Sequence, residues 1–98
     1  MTNEHDGDPS GAFLEELRGL KAASGWPKDK HAVATVLITA CIERGIDTRP
    51  RIIGALKSVG LDYRHVAIIL NEGTGENPER HRWRLDPHGR YSLHDDER

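Results

Sequence analysis

The stretch from 49 to 72 limits the possible folds of this chain more than any other. It holds two short apolar-periodic runs separated only by Gly60-Leu61-Asp62. Ile52, Ile53, Leu56 and Val59 mark the inner face of a helix over about 49–59. Thr48 is placed to cap that helix, and Pro50 lies in its first turn. Asp62 caps a further helix over about 63–72, in which Val66, Ile69 and Leu70 point inward. Leu61 stands one before this cap and Val66 four after it, the spacing of a hydrophobic staple.

Upstream, the spacing predicts a helix over about 29–44, capped by Asp29 and closed by Gly45. Val33, Val36, Leu37, Ala40 and Cys41 follow the helical period, and Ile38 and Ile42 widen the stripe. A helix so apolar belongs at the centre of the domain. Before it, Phe13, Leu17 and Leu20 give one stripe on a helix over about 10–23, capped by Asp8 or Ser10 and ended near Gly25 and Pro27. Ile46-Asp47-Thr48 reads as a brief strand. Residues 1–9 are polar and acidic and read as disordered, and 94–98 read as a flexible tail.

Downstream, Arg80-His81-Arg82-Trp83-Arg84-Leu85 and Arg90-Tyr91-Ser92-Leu93 alternate around Asp86-Pro87-His88-Gly89, a strong turn signal. This predicts a β-hairpin. Period two sets Trp83, Leu85, Tyr91 and Leu93 on the inner face and Arg82, Arg84 and Arg90 on the outer one, with no acid among those arginines. Trp26, Trp83 and Tyr91 are read as core. Gly73-Thr74-Gly75-Glu76-Asn77-Pro78 is read as a connector, since it lacks the Lys-Ser/Thr of a phosphate loop and follows a helix.

A length of 98 residues suits one domain, here the span 10–93. No apolar run approaches ~18 residues, so no membrane-spanning helix is expected. The acidic start does not read as a secretory signal, and the single cysteine cannot form an internal disulfide, so the cytoplasm is the expected compartment. Net charge is −2, yet it is unevenly spread. Residues 28–91 carry eleven bases and eight acids, whereas residues 1–20 carry five acids and one base. A mildly basic centre permits nucleic-acid binding without requiring it.

The order helix, helix, short strand, helix, tight glycine-containing turn, helix, hairpin resembles the winged helix-turn-helix family of bacterial DNA-binding domains, over about 28–93. The resemblance rests on that order, on Gly60 at the turn, and on the ribbon Arg82-Trp83-Arg84-Leu85 … Gly89-Arg90-Tyr91-Ser92-Leu93. It implies a mainly α fold with a small β-hairpin, in which the helix at 10–23 is an addition. It further implies a recognition helix in the major groove and a wing on the backbone or minor groove. Arg64, His65, Ile68, Asn71 and Glu72 would lie on the outer face of that helix, with Arg64 suited to guanine and Asn71 to adenine. Arg49 and Arg51 would meet phosphate, as would Arg80, Arg82, Arg84 and Arg90.

Each of these arginines also has a plainer reading as a solvated surface residue. Asp62 and Glu72 at the ends of the recognition helix count against groove binding, although Asp62 is explained as a cap. Catalysis finds little support, because no nucleophile, base and acid share a motif and Cys41 falls in an apolar run. His81, His88 and His94 lack metal-ligand spacing, so neither metal nor cofactor is expected. Two functions remain: a small DNA-binding regulator or DNA-occupying factor, or a winged-helix module that binds protein as an adaptor or inhibitor. Phe13, Leu17 and Leu20 would either pack on their own domain or form a homodimer contact.

Overall fold

The computed structural model describes residues 11–77 and 79–94. The reading of 1–9 as disordered falls outside them, as does that of 94–98 as tail except at His94, whose N–H donates to Arg82 O (3.4 Å). Four helices are followed by one antiparallel hairpin: α1 Gly11–Ala23, α2 Lys30–Glu43, α3 Arg49–Ser58, α4 Tyr63–Glu72, β1 Trp83–Leu85 and β2 Tyr91–Leu93. The fold is mainly α with a small β-hairpin, arranged as a winged helix-turn-helix with one additional N-terminal helix. α2 lies at the centre and packs against the other three helices and β2.

The caps follow local chemistry. Asp29 accepts a hydrogen bond from Ala32 N (3.1 Å) and Asp62 from Arg64 N (3.0 Å), each satisfying a donor that the first helical turn leaves open. Thr48 occupies the N-cap position of α3, but its side chain makes no capping bond. Its backbone is extended and bridges to Arg90, so the chain enters α3 directly from a sheet position. Between α3 and α4, Gly60 has φ +95°, a left-handed conformation that a side chain would strain. Lys21 of α1 donates to the carbonyl of Val59 (2.7 Å) and lies over the Trp26 ring, tying the added helix to this turn.

The hairpin pairs Trp83 with Leu93, Arg84 with Ser92 and Leu85 with Tyr91. The segment before α3 joins it on the other side of β2: Thr48 bridges Arg90, and Tyr91 N donates to Asp47 O (2.7 Å). β2 is therefore flanked by β1 and by Thr48, and β1 is bridged on its other side by Thr74. The expected strand at 46–48 is reduced to the single bridge at Thr48.

One continuous core holds Phe13 and Leu17 from α1, Val33, Leu37, Ile38 and Cys41 from α2, Ile52 and Leu56 from α3, Val66, Ile69 and Leu70 from α4, and Trp83 and Tyr91 from the hairpin. Trp26, Ala40, Ile42, Ile53 and Leu93 pack partly buried against it, and two expected inward residues are exposed. Val36 is 38% exposed, because the buried stripe of α2 runs through Val33, Ala34, Leu37, Ile38 and Cys41 and leaves Val36 on the far side. Leu85 is 42% exposed. It shares a face with Trp83 but is the last residue of β1, next to the turn and beyond the cover of the helices.

Trp83 fastens the ribbon to the helices. Its ring is fully buried, and its indole N–H donates to the carbonyl of Leu70 (3.0 Å), one of the acceptors left open at the end of α4. The backbone N–H groups of Arg82 and Trp83 both donate to Gly73 O. A Cβ on Gly73 would lie 2.7 Å from the Trp83 ring, so only glycine permits this approach. Trp83→Ala should lower the unfolding free energy by about 3–5 kcal/mol. Gly73→Ala should also destabilise, by forcing the ring out of place. Urea denaturation checks both, and a Trp83→Ala loss below about 1 kcal/mol would contradict the docking described here.

Candidate nucleic-acid interface

The outer face of α4 is built by helical geometry from its buried one. With Val66, Ile69 and Leu70 inward, Arg64, Ile68 and Asn71 point away from the core. Ile68 is 53% exposed, a large apolar side chain held in solvent between two polar ones. Arg49, at the start of α3, reaches this face and donates from Nη1 to Oδ1 of Asn71 (2.8 Å). Asn71 is therefore held by a neighbouring helix and does not stand alone as the sequence reading had it.

Tyr63 was not foreseen as part of this surface. It is 46% exposed, and Lys57 and Arg64 each lie 5.7 Å from its ring centroid. Both distances are within the range of cation–π attraction. The available signal was an aromatic directly after a helix cap, one step outside the buried stripe. Pro50, Ile53, Gly54 and Tyr63 line a shallow apolar groove between α3 and α4, flanked by Arg49 and Lys57. His65 and Glu72 sit on the opposite flank of α4, toward α2. The His65 and His31 rings meet edge to face with centroids 6.3 Å apart, and His65 is half-buried.

On the ribbon, Arg82 and Arg84 are exposed, and Arg84 Nε donates weakly across the strands to Ser92 Oγ (3.4 Å). Arg80 precedes them, and with Arg82 it lines a cleft that also holds His31, Thr35 and Glu72. Arg90 departs from expectation. No acid was foreseen on its face, yet it pairs with Asp47 (3.2 Å), because the chain before α3 runs alongside β2. Arg51 is half-buried, and its Nε is buried without a hydrogen-bond partner.

The electrostatic pattern is clear among the described residues. The ion pairs engage Arg18 with Glu15, Arg44 with Glu16 and Arg90 with Asp47. Arg49, Arg51, Lys57, Arg64, Arg80, Arg82 and Arg84 have no acid partner among the described residues. These unpaired cations come from α3, α4 and the approach to the ribbon. At the wing tip, Asp86 accepts from the N–H groups of Arg90 (2.9 Å) and His88 (2.8 Å), and these bonds hold its carboxyl below the usual range.

The remaining candidates serve the fold. Phe13 (4% exposed) and Leu17 (fully buried) pack in their own domain and Leu20 lies partly buried against it, so the intramolecular reading of that stripe is the one adopted. The His81 ring packs on Gly75, and His94 Nε2 lies 2.6 Å from the Gly75 carbonyl, so both fasten the connector to the ribbon. Among the described residues no group of three His, Cys, Asp or Glu is placed to hold a metal ion. No helix there is long and apolar enough to cross a membrane.

Cys41 is fully buried in α2, and burial pushes its thiol up to about 12. The native thiol should resist iodoacetamide at pH 8 and label fully in urea; mass spectrometry of native and denatured samples checks this. Because the unfolded thiol ionises near its ordinary value of 9.0 and the folded one near 12, stability should also fall as pH rises between the two. Compared with known proteins, the chain matches no family model, no curated protein and no solved structure, so the meaning of this surface rests on its own geometry.

Proposed function

We propose that this chain is a non-catalytic DNA-binding winged-helix protein that acts as a small regulator or DNA-occupying factor, in the manner of the bacterial family it resembles. The observation that carries the reading is the sorting of charge. Among the described residues, Arg18, Arg44 and Arg90 are neutralised by acids. Lys21, Lys28 and Lys30 around the α1–α2 turn are not, but the larger group of unpaired bases is Arg49, Arg51, Lys57, Arg64, Arg80, Arg82 and Arg84, on α3, α4, β1 and the approach to it. Unpaired cations around an exposed helix face suit the regular negative charge of a duplex. Arg64, Ile68 and Asn71 are then in position to meet base edges, while Arg82 and Arg84 meet phosphate.

A second reading, a protein-binding module, is favoured by one observation. The groove of Pro50, Ile53, Gly54 and Tyr63 is apolar, and Ile68 and Tyr63 are exposed beside it. Such a patch fits an apolar anchor from a partner protein. Salt separates the two readings, since duplex affinity falls steeply with salt as counterions are released.

Fluorescence anisotropy with a labelled duplex across a salt series tests the proposal. The double variant Arg82→Ala, Arg84→Ala should weaken binding alike for all sequences. It should also flatten the slope of log K against log salt by about 2. No duplex binding even at low salt would favour the protein partner.

A further inference from the structure

We propose that Arg49 is a positioning residue that converts Asn71 from an adenine reader into a hydrogen-bond donor, so that the outer face of α4 selects guanine at two positions. The inference rests on the DNA-binding reading and goes beyond it by naming the base. A free asparagine offers an acceptor oxygen with two lone pairs and two N–H donors, the set that matches the N6 and N7 of adenine. Here Oδ1 already accepts from Arg49 (2.8 Å). The guanidinium takes one lone pair of that oxygen, and its own N–H groups and positive charge beside it disfavour a second donor such as the adenine N6 amine. The group of Asn71 left without a partner among the described residues is its Nδ2 amide, a donor.

The rest of the face has the same polarity. Arg64 carries donors only, and Ile68 has no polar atom. Asp62 spends an oxygen on the N–H of Arg64. Glu72 lies on the flank toward α2, in the cleft with Arg80 and Arg82. A face of donors matches an edge of acceptors, and in the major groove guanine alone presents two acceptors, N7 and O6, without a donor. Arg64 and Asn71 are seven residues apart on one helical face, about 10.5 Å along the axis. That span corresponds to about three base-pair steps of ~3.4 Å. Ile68, between them, suits a thymine methyl.

The test is selection of duplexes from a random pool by the full chain, followed by competition binding. The wild-type protein should enrich guanines about three base pairs apart. Replacing either guanine by 7-deazaguanine, which removes N7, should weaken binding about fivefold or more. Inosine, which leaves the major-groove edge intact, should have no such effect. Arg49→Ala should lose the guanine preference at one of the two positions and admit adenine there, while Arg64→Ala should lose it at the other. Arg49→Lys, which keeps a donor toward Asn71, should restore part of the preference. Adenine enriched by the wild type at the Asn71 position would overturn the inference. So would an Arg49→Ala variant with both preferences intact. Failure to retain any duplex at low salt would instead strike at the DNA-binding reading, and with it this proposal.

Discussion

The geometry of this small domain depends on the insertion of Trp83 against the end of α4. A helix C-terminus leaves carbonyls without partners, and a two-stranded ribbon has little stability of its own. The two deficits meet here. Leu70 and Gly73 offer carbonyls, and the ribbon answers with the indole N–H and two backbone N–H groups. The ring then fills the space that a side chain at position 73 would occupy. One contact thus sets where the ribbon lies relative to α4, and so relates Arg82 and Arg84 to Arg64, Ile68 and Asn71.

A second set of contacts fixes α4 against the rest of the chain. The turn at Gly60 and the staple residues Leu61 and Val66 set the angle between α3 and α4, and Lys21 closes the end of α3 from α1. The added helix is therefore part of the scaffold. It contributes Phe13 and Leu17 to the core, and its Glu16 pairs with Arg44 at the end of α2. Exposed ion pairs of this kind add little stability. Their larger consequence is electrostatic: they neutralise Arg18 and Arg44, whereas the bases of α3 and α4 have no acid partner among the described residues.

Much of this was legible in the residues. Apolar spacing located the four helices to within a residue or two, because each has a buried stripe with a period of its own and a glycine or a capping aspartate at an end. The hairpin was legible from alternation around Asp86-Pro87-His88-Gly89. The misses share a cause. Strand alternation assigns a face but not how far the helices cover it, and Leu85 lies past that cover. Arg90 and Asp47 are 43 residues apart, and Arg49 and Asn71 are 22 apart, so neither pairing leaves a local pattern. Thr48 has the chemistry of a cap, but its place beside β2 decides its conformation. Tyr63 lies beside Lys57 only because the turn between α3 and α4 brings the two together.

The proposed duplex contact joins the outer face of α4 to the arginines of the ribbon. Nuclear magnetic resonance shift mapping during titration with a guanine-containing duplex tests it most directly. The account expects the largest changes at the side chains of Arg64, Ile68, Asn71, Arg82 and Arg84, with α1 little affected. Changes centred on α1, or confined to the groove of Pro50, Ile53 and Gly54 when a protein partner is added and absent with DNA, would contradict it.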